Sequence, residues 1–231
     1  MKCLLSVCLS VLAGVAIFAA SKPGQSPALQ RGISVQMATS NHATPMPEAD
    51  WENAWIVTVT SDGRVYFGTD QITAEGLAEQ MKIHPRNREA KLYVKADAGA
   101  PFSSVRQVLH AARVDLFDDV VLLTAQPEAA QPGTIVPPKG LDVWIGNEAG
   151  SNFVAIQIGA DQGSATLKVG NETVAPSALQ GRLAQLFDNR AGRIVVLNAS
   201  RQVSFAQLVQ AIDACLGAGA SRVTVTVSGE V

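Results

Sequence analysis

Few side chains in this 231-residue chain have a type and spacing that could do chemistry. Asp97 follows directly on an apolar alternation, Leu92-Tyr-Val-Lys-Ala96, and precedes Gly99 and Pro101, so its carboxylate is placed to accept loop amides or to meet a partner. Capping of local amides is the ordinary role of such a strand-end residue. His42, His84 and His110 fall in a proline-rich loop, at a helix end and on a helix face, without metal-ligand spacing. Ser103 and Ser104 stand where one of them is expected to cap a helix running through Asp115, and no Gly-x-Ser-x-Gly elbow accompanies them. Cys3 and Cys8 lie in an apolar N-terminal stretch and Cys215 on the core face of a predicted helix, so no pair is set for a disulfide or a metal. Trp51 and Trp55 flank a predicted hairpin, where core packing is usual and an exposed recognition aromatic is the alternative. The expectation is no catalytic, cofactor or metal site, with Asp97, Trp51 and Trp55 as candidate partner contacts.

The elements that must position these residues come in two weak copies. Residues 90–124 and 193–227 match without a gap at a constant offset of 103. Leu92, Val94 and Ala96 map onto Val195, Leu197 and Ala199. After Phe102 and Phe205, the helical set Val105, Val108, Leu109, Ala112 maps onto Leu208, Ala211, Ile212, Cys215. Upstream, Gly32-Ile-Ser-Val resembles Gly140-Leu-Asp-Val, and Gly63-Arg-Val-Tyr-Phe-Gly-Thr-Asp-Gln-Ile-Thr resembles Ser164-Ala-Thr-Leu-Lys-Val-Gly-Asn-Glu-Thr-Val. A period near 100 residues fits a duplicated small domain and not a solenoid.

Each copy reads as a short strand followed by ββαβαβ. In the first, Ile33, Val35 and Met37 alternate as a strand. Ile56–Thr60 and Arg64–Phe67 form a hairpin on an Asp-Gly turn, and Thr73 caps a helix carrying Leu77 and Met81 on one face. His84–Arg88 closes that helix, and strands follow at Lys91–Ala96 and Val120–Thr124. The second copy has a strand at Leu141–Ile145, a hairpin around Ala160–Gly163 and a helix opened by Pro176. The fold class expected is α/β (α+β): an N-terminal apolar helix, then two similar small domains, each a mixed sheet with two helices on one face. Residues 32–124 and 140–231 make the two domains, joined by the proline-rich linker 125–139. That linker reaches up to roughly 50 Å when extended, so it permits either side-by-side pairing in a pseudo-dimer or two independent beads.

With 47% hydrophobic and 16% charged residues the chain has material for buried cores, and a net charge of −2 without a basic stripe gives a nucleic-acid partner no support. Cys3–Ala20 is uncharged and apolar, about 27 Å long as a helix, behind a single Lys2. Residues 1–21 are therefore a transmembrane anchor or, with Ala19-Ala20-Ser21 as a processing site, a cleaved signal peptide. Both send the remainder out of the cytoplasm, on a polar tether over 22–31. Cys8 has too short an apolar run before it for a lipoprotein signal.

Gly32-Ile-Ser-Val-Gln, Val59-Thr-Ser-Asp-Gly-Arg-Val-Tyr-Phe-Gly, Tyr93-Val-Lys-Ala-Asp, Phe102-Ser-Ser-Val, Leu109-His-Ala-Ala-Arg and Val120-Val-Leu-Leu-Thr, set behind an apolar segment and a tether, resemble the ExbD/TolR family. The resemblance covers residues 32–124 well and 140–227 faintly. It implies an inner-membrane, single-pass biopolymer-transport protein with periplasmic α/β domains, a non-enzymatic part of a proton-driven energy-transducing complex. The partners implied are ExbB/TolQ-like motor subunits and TonB/TolA-like transducers. The alternative is a secreted periplasmic binding module, for example for peptidoglycan, detached from the motor. Two departures stand out. The family's membrane helix carries an aspartate held to conduct protons, and residues 3–20 have no Asp or Glu. The family also normally has one periplasmic domain, and in the second copy here Asp97 becomes Ser200.

Overall fold

The computed structural model describes residues 32–83, 91–125, 137–146, 152–161, 163–188 and 192–227. The apolar run, the tether, His84 and the central part of the proline-rich linker lie outside them. Among the described residues no helix is long and apolar enough to cross a membrane.

In the first copy β1 (Thr44–Pro45) and a 3-10 turn (Pro47–Asp50) precede a meander of β2 (Trp55–Val59), β3 (Val65–Phe67) and β4 (Asp70–Ile72). Then come α1 (Ala74–Ile83), β5 (Leu92–Ala96), α2 (Phe102–Val114) and β6 (Asp119–Thr124). The second copy runs β7 (Lys139–Ile145), β8 (Val154–Asp161), β9 (Ser164–Val169), β10 (Glu172–Val174), α3 (Leu179–Phe187), β11 (Ile194–Ala199), α4 (Phe205–Gly217) and β12 (Arg222–Val225).

The local chemistry accounts for most of these. Gly63 and Gly163 take a φ of +82° in the two hairpin turns, where a side chain is disfavoured. The expected cap on α1 forms, with the Gly76 amide donating to Thr73 Oγ1 at 3.0 Å. Leu77 and Met81 turn into the core together. Strands β4 and β10 were not expected. Each is added by a two-residue turn, Gly68-Thr69 and Gly170-Asn171, whose glycines have φ of +62° and +61°.

The two mixed sheets expected of two domains are halves of one. The strand order is β10-β9-β8-β11-β12-β7-β6-β5-β2-β3-β4, with β1 beside the start of β7. Strand β7 is antiparallel to β6 over six residue pairs and parallel to β12. Since β6 and β12 are the equivalent strands of the two copies, a pseudo-two-fold axis runs through β7, perpendicular to the sheet. Such an axis keeps the helices of both halves on one face. There the duplicated residues Phe102 and Phe205, Leu109 and Ile212, Ala112 and Cys215 form one continuous buried cluster.

A strand on the axis has room for one copy only, and this corrects the expected strand over Ile33, Val35 and Met37. Those residues make no ladder. Met37 bridges Asp97 and Thr39 bridges Ala125 at the end of the sheet, while β7 holds the central slot. Both segments offer alternating apolar residues, so the outward side chains distinguish them. Asp142 of β7 pairs with Lys91 at 2.5 Å, and Trp144 lies under the Arg222 guanidinium at 4.2 Å. Ser34 and Gln36 at the equivalent positions offer neither contact.

Candidate functional site

Of the candidate residues only Asp97 stands next to the seam between the halves, in the turn that leads to Phe102. There the axis is drawn in hydrogen bonds. The Phe102 amide donates to Val203 O and the Phe205 amide to Ala100 O, both at 2.8 Å, while Pro101 and Ser204 form a bridge. Each bond is the other's image under the offset of 103. This corrects the expected serine cap of α2. The helix begins at Phe102 with Pro101, which has no side-chain acceptor, at the N-cap, so Ser103 and Ser104 fall inside its first turn. In the second half Ser204 does cap α4, in a capping box with Gln207.

Asp97 caps local amides and also ties down a second segment. Its Oδ1 accepts from the Gly99 amide at 2.9 Å and its Oδ2 from the Gln36 amide at 3.0 Å, while the Ala98 amide donates to Gln36 O. The backbone of the turn is the same in both copies, since the Ala100 amide donates to Asp97 O as the Val203 amide does to Ser200 O. The carboxylate is therefore dispensable for the turn itself. It holds residues 36–38, the segment displaced from the sheet axis, which has no counterpart at Ser200.

Beyond residues 36–38 the chain crosses to the second half. The Asp213 carboxylate of α4 accepts from Ser40 Oγ and from the Asn41 and His42 amides at 3.0 and 2.8 Å, with His42 Nδ1 at 3.2 Å. Burial works to raise the Asp213 pKa, but the Ser40 and His42 hydrogen bonds and the His42 charge together hold it below the ordinary carboxylate range. Sequence reasoning missed this strap, since the partners are more than 170 residues apart and Asp213 reads as one polar residue on a helix.

The two tryptophans part company. Trp55 packs edge-on to Phe67 with centroids 6.2 Å apart and against Phe117 at 6.0 Å. Trp51 follows the 3-10 turn with 59% of its surface exposed. A third tryptophan, Trp144, is 39% exposed on the opposite face at the axis, signalled only by its outward parity in β7.

Ser103 and His110 line a groove of about 420 Å³ on α2, with Arg106, Glu75 and Arg201. They are two helical turns apart, about 10 Å along the axis, too far for a nucleophile and its base. Ser104 lies against the hairpin turn, where a Cβ at Gly63 would approach its Oγ to 2.6 Å. Cys215 is fully buried in the core, and burial pushes its thiol up to about 12, so it stays protonated. Among the described residues no group of His, Cys, Asp and Glu is placed to hold a metal ion.

Two copies of one α/β unit, fused through a shared central strand and strapped together across the seam, define a tandem-repeat α/β protein. The family described as biopolymer transport protein ExbD/TolR matches the chain twice, over residues 15–127 and 120–230. The chain belongs to that family, as a tandem duplicate. No match was found among curated proteins or solved structures.

Proposed function

We propose that the chain is a cell-envelope component of a proton-motive-force-linked transport system, working by protein contacts and supplying in one polypeptide the paired domains that single-domain members supply by dimerising. The observation that carries this is the pseudo-two-fold seam at Phe102 and Phe205 in a protein whose two halves both match the family. The partners are ExbB/TolQ-like motor subunits and TonB/TolA-like transducers. The protein sits in the inner membrane through residues 1–21, with both repeats in the periplasm. Proton conduction belongs to a partner, because residues 3–20 hold no Asp or Glu that could titrate within the bilayer.

Of the three candidate contacts, Trp51 is the one the geometry favours, being exposed on a turn whose Ala49 is anchored. Trp55 is engaged with Phe67 and Phe117, and Asp97 with the Gln36 and Gly99 amides, which leaves neither as free as Trp51 to meet a partner. Co-purification from native membranes tests the proposal: recovery of a motor-type or transducer partner supports it. No such partner, together with a deletion that leaves proton-driven uptake and envelope integrity intact, overturns it.

The second reading, a secreted periplasmic module binding a wall polymer such as peptidoglycan, is favoured by the same lack of an intramembrane carboxylate and by Ala19-Ala20-Ser21. N-terminal sequencing of the mature protein separates the two. A start near Lys22 gives the secreted module, and an intact Met1 or Lys2 the anchored one.

A further inference from the structure

On the sheet face away from the helices, the 3-10 turn Pro47–Asp50 covers only the first half. Met46 and Ala49 pack there on Tyr93, Val121 and Leu123. Beside this cover lies a cavity of about 200 Å³ lined by Thr58, Lys95, Thr124, Lys139, Asp50 and Ile56, among others. Thr58 and Lys95 are direct partners in the β2–β5 ladder, so their side chains leave the sheet next to each other.

Two polar groups here lack what burial demands. Thr58 has no exposed surface, and its Oγ1 has no hydrogen-bond partner. Thr124, 3% exposed, also has an unpartnered Oγ1. A buried hydroxyl left unmade costs free energy, which makes such a group a sign of a missing partner. Lys95 makes no ion pair or hydrogen bond with any described residue, and burial alone holds its ammonium below the ordinary lysine range. A half-buried cation beside an unused hydroxyl donor asks for an anion.

We propose that this cavity binds a small monocarboxylate with a short apolar tail. Its carboxylate accepts from Lys95 Nζ and, once the Thr58 side chain rotates toward the cavity, from Thr58 Oγ1, while Lys139 adds a second positive charge and the tail lies on Ile56. The apolar wall and Asp50 at the cavity disfavour a compact dianion such as phosphate, which would meet a repelling carboxylate and leave the wall bare. A cavity of this size takes a handful of non-hydrogen atoms, so the ligand is a small free acid or the carboxylate end of a peptide.

The second copy provides an internal contrast. Position 198, equivalent to Lys95, is Asn, its ladder partner is Gln157, and both are exposed on an uncovered face. The chain therefore binds one carboxylate, in the first half only.

Isothermal titration of the full-length chain tests this, with butyrate for the free acid, N-acetylalanine for a peptide end, and butylammonium and inorganic phosphate as controls at matched ionic strength. The expected result is saturable binding of at least one carboxylate with one site per chain, weakened about tenfold or more in Lys95→Met and in Thr58→Val. Binding of butyrate assigns the free acid, and binding of N-acetylalanine alone assigns the peptide end. Absence of carboxylate binding, equal binding of phosphate, or carboxylate binding unchanged in folded Lys95→Met overturns the proposal. Should either variant fail to fold, the Lys95 Nζ titration followed by NMR in the unmodified protein decides. Butyrate or N-acetylalanine raises its pKa if the site is real and leaves it in place if not.

Discussion

At the scale of the residue, the asymmetry between equivalent positions locates special roles. Asp97 and Ser200 occupy the same turn, yet only Asp97 has a displaced segment to hold. Asp97→Ala is expected to destabilise the protein by about 1–2 kcal/mol, through loss of two charge-assisted bonds. It should also speed hydrogen exchange at the Gln36 amide, and unchanged protection there would contradict the tethering role. Leu116 and Gly219 form a second such pair. Both follow a helix in the left-handed region, at φ +65° and +85°, with matching C-terminal hydrogen bonds from Phe117 N to Ala112 O and from Ala220 N to Cys215 O. Glycine is the relaxed choice, whereas Leu116 accepts strain while 79% exposed. Leu116→Gly should therefore stabilise the fold by about 0.5–1 kcal/mol in thermal unfolding, since little burial is lost. A lower melting temperature would mean that Leu116 packs usefully in the native state.

At the scale of the element, what the sequence revealed was what local pattern decides. The Leu92, Val94, Ala96 alternation and the Val105, Val108, Leu109, Ala112 spacing predict β5 and α2, and the same positions are buried in both copies. Strands β4 and β10 carry a signal, a glycine opening a two-residue turn in each copy, but each is only three residues long, too short for its alternation to stand out. The fate of Ile33–Met37 was not a local matter. Its alternation is that of a strand, but the axial slot is held by β7, whose Asp142 and Trp144 meet Lys91 and Arg222 from elsewhere in the chain. The strap over Ser40–His42 is likewise set by a distant carboxylate, and it has a pH signature. Because the folded Asp213 pKa lies below its unfolded value, the stability it contributes is present above about pH 4 and is lost as pH falls through the lowered folded value. Acidification should release the Asn41 and His42 amides to exchange ahead of global unfolding. In Asp213→Asn that acid step should vanish and those amides should exchange faster at neutral pH; persistence of the step would assign it to another group.

At the scale of the whole molecule, duplication was plain from the offset of 103, but the choice between a pseudo-dimer and two beads depends on surfaces that periodicity does not describe. The structure has the pairing, through a shared strand and the doubled bonds at Phe102 and Phe205. One position tests how much of the assembly rests on the shared strand. Gly140 faces Leu123 across the β6–β7 ladder, and a Cβ built there would overlap Val121 Cγ1 and sit 3.1 Å from the Leu122 carbonyl. Val121 is fully buried beneath the Met46 and Ala49 cover and has little room to turn away. Gly140→Val should therefore cost about 1–3 kcal/mol by overpacking, concentrated at the seam. The equivalent glycine of the first copy, Gly32, lies outside the ladder, so Gly32→Val should be near neutral. If the halves fold as one unit, Gly140→Val lowers a single unfolding transition. If they are stable separately, it splits the melt in two, with the amides of β6 and β7 exchanging first while β2 and β8 remain protected. A Gly140→Val protein as stable as the unmodified chain, with β6 and β7 fully protected, would show that the two halves do not meet through this strand.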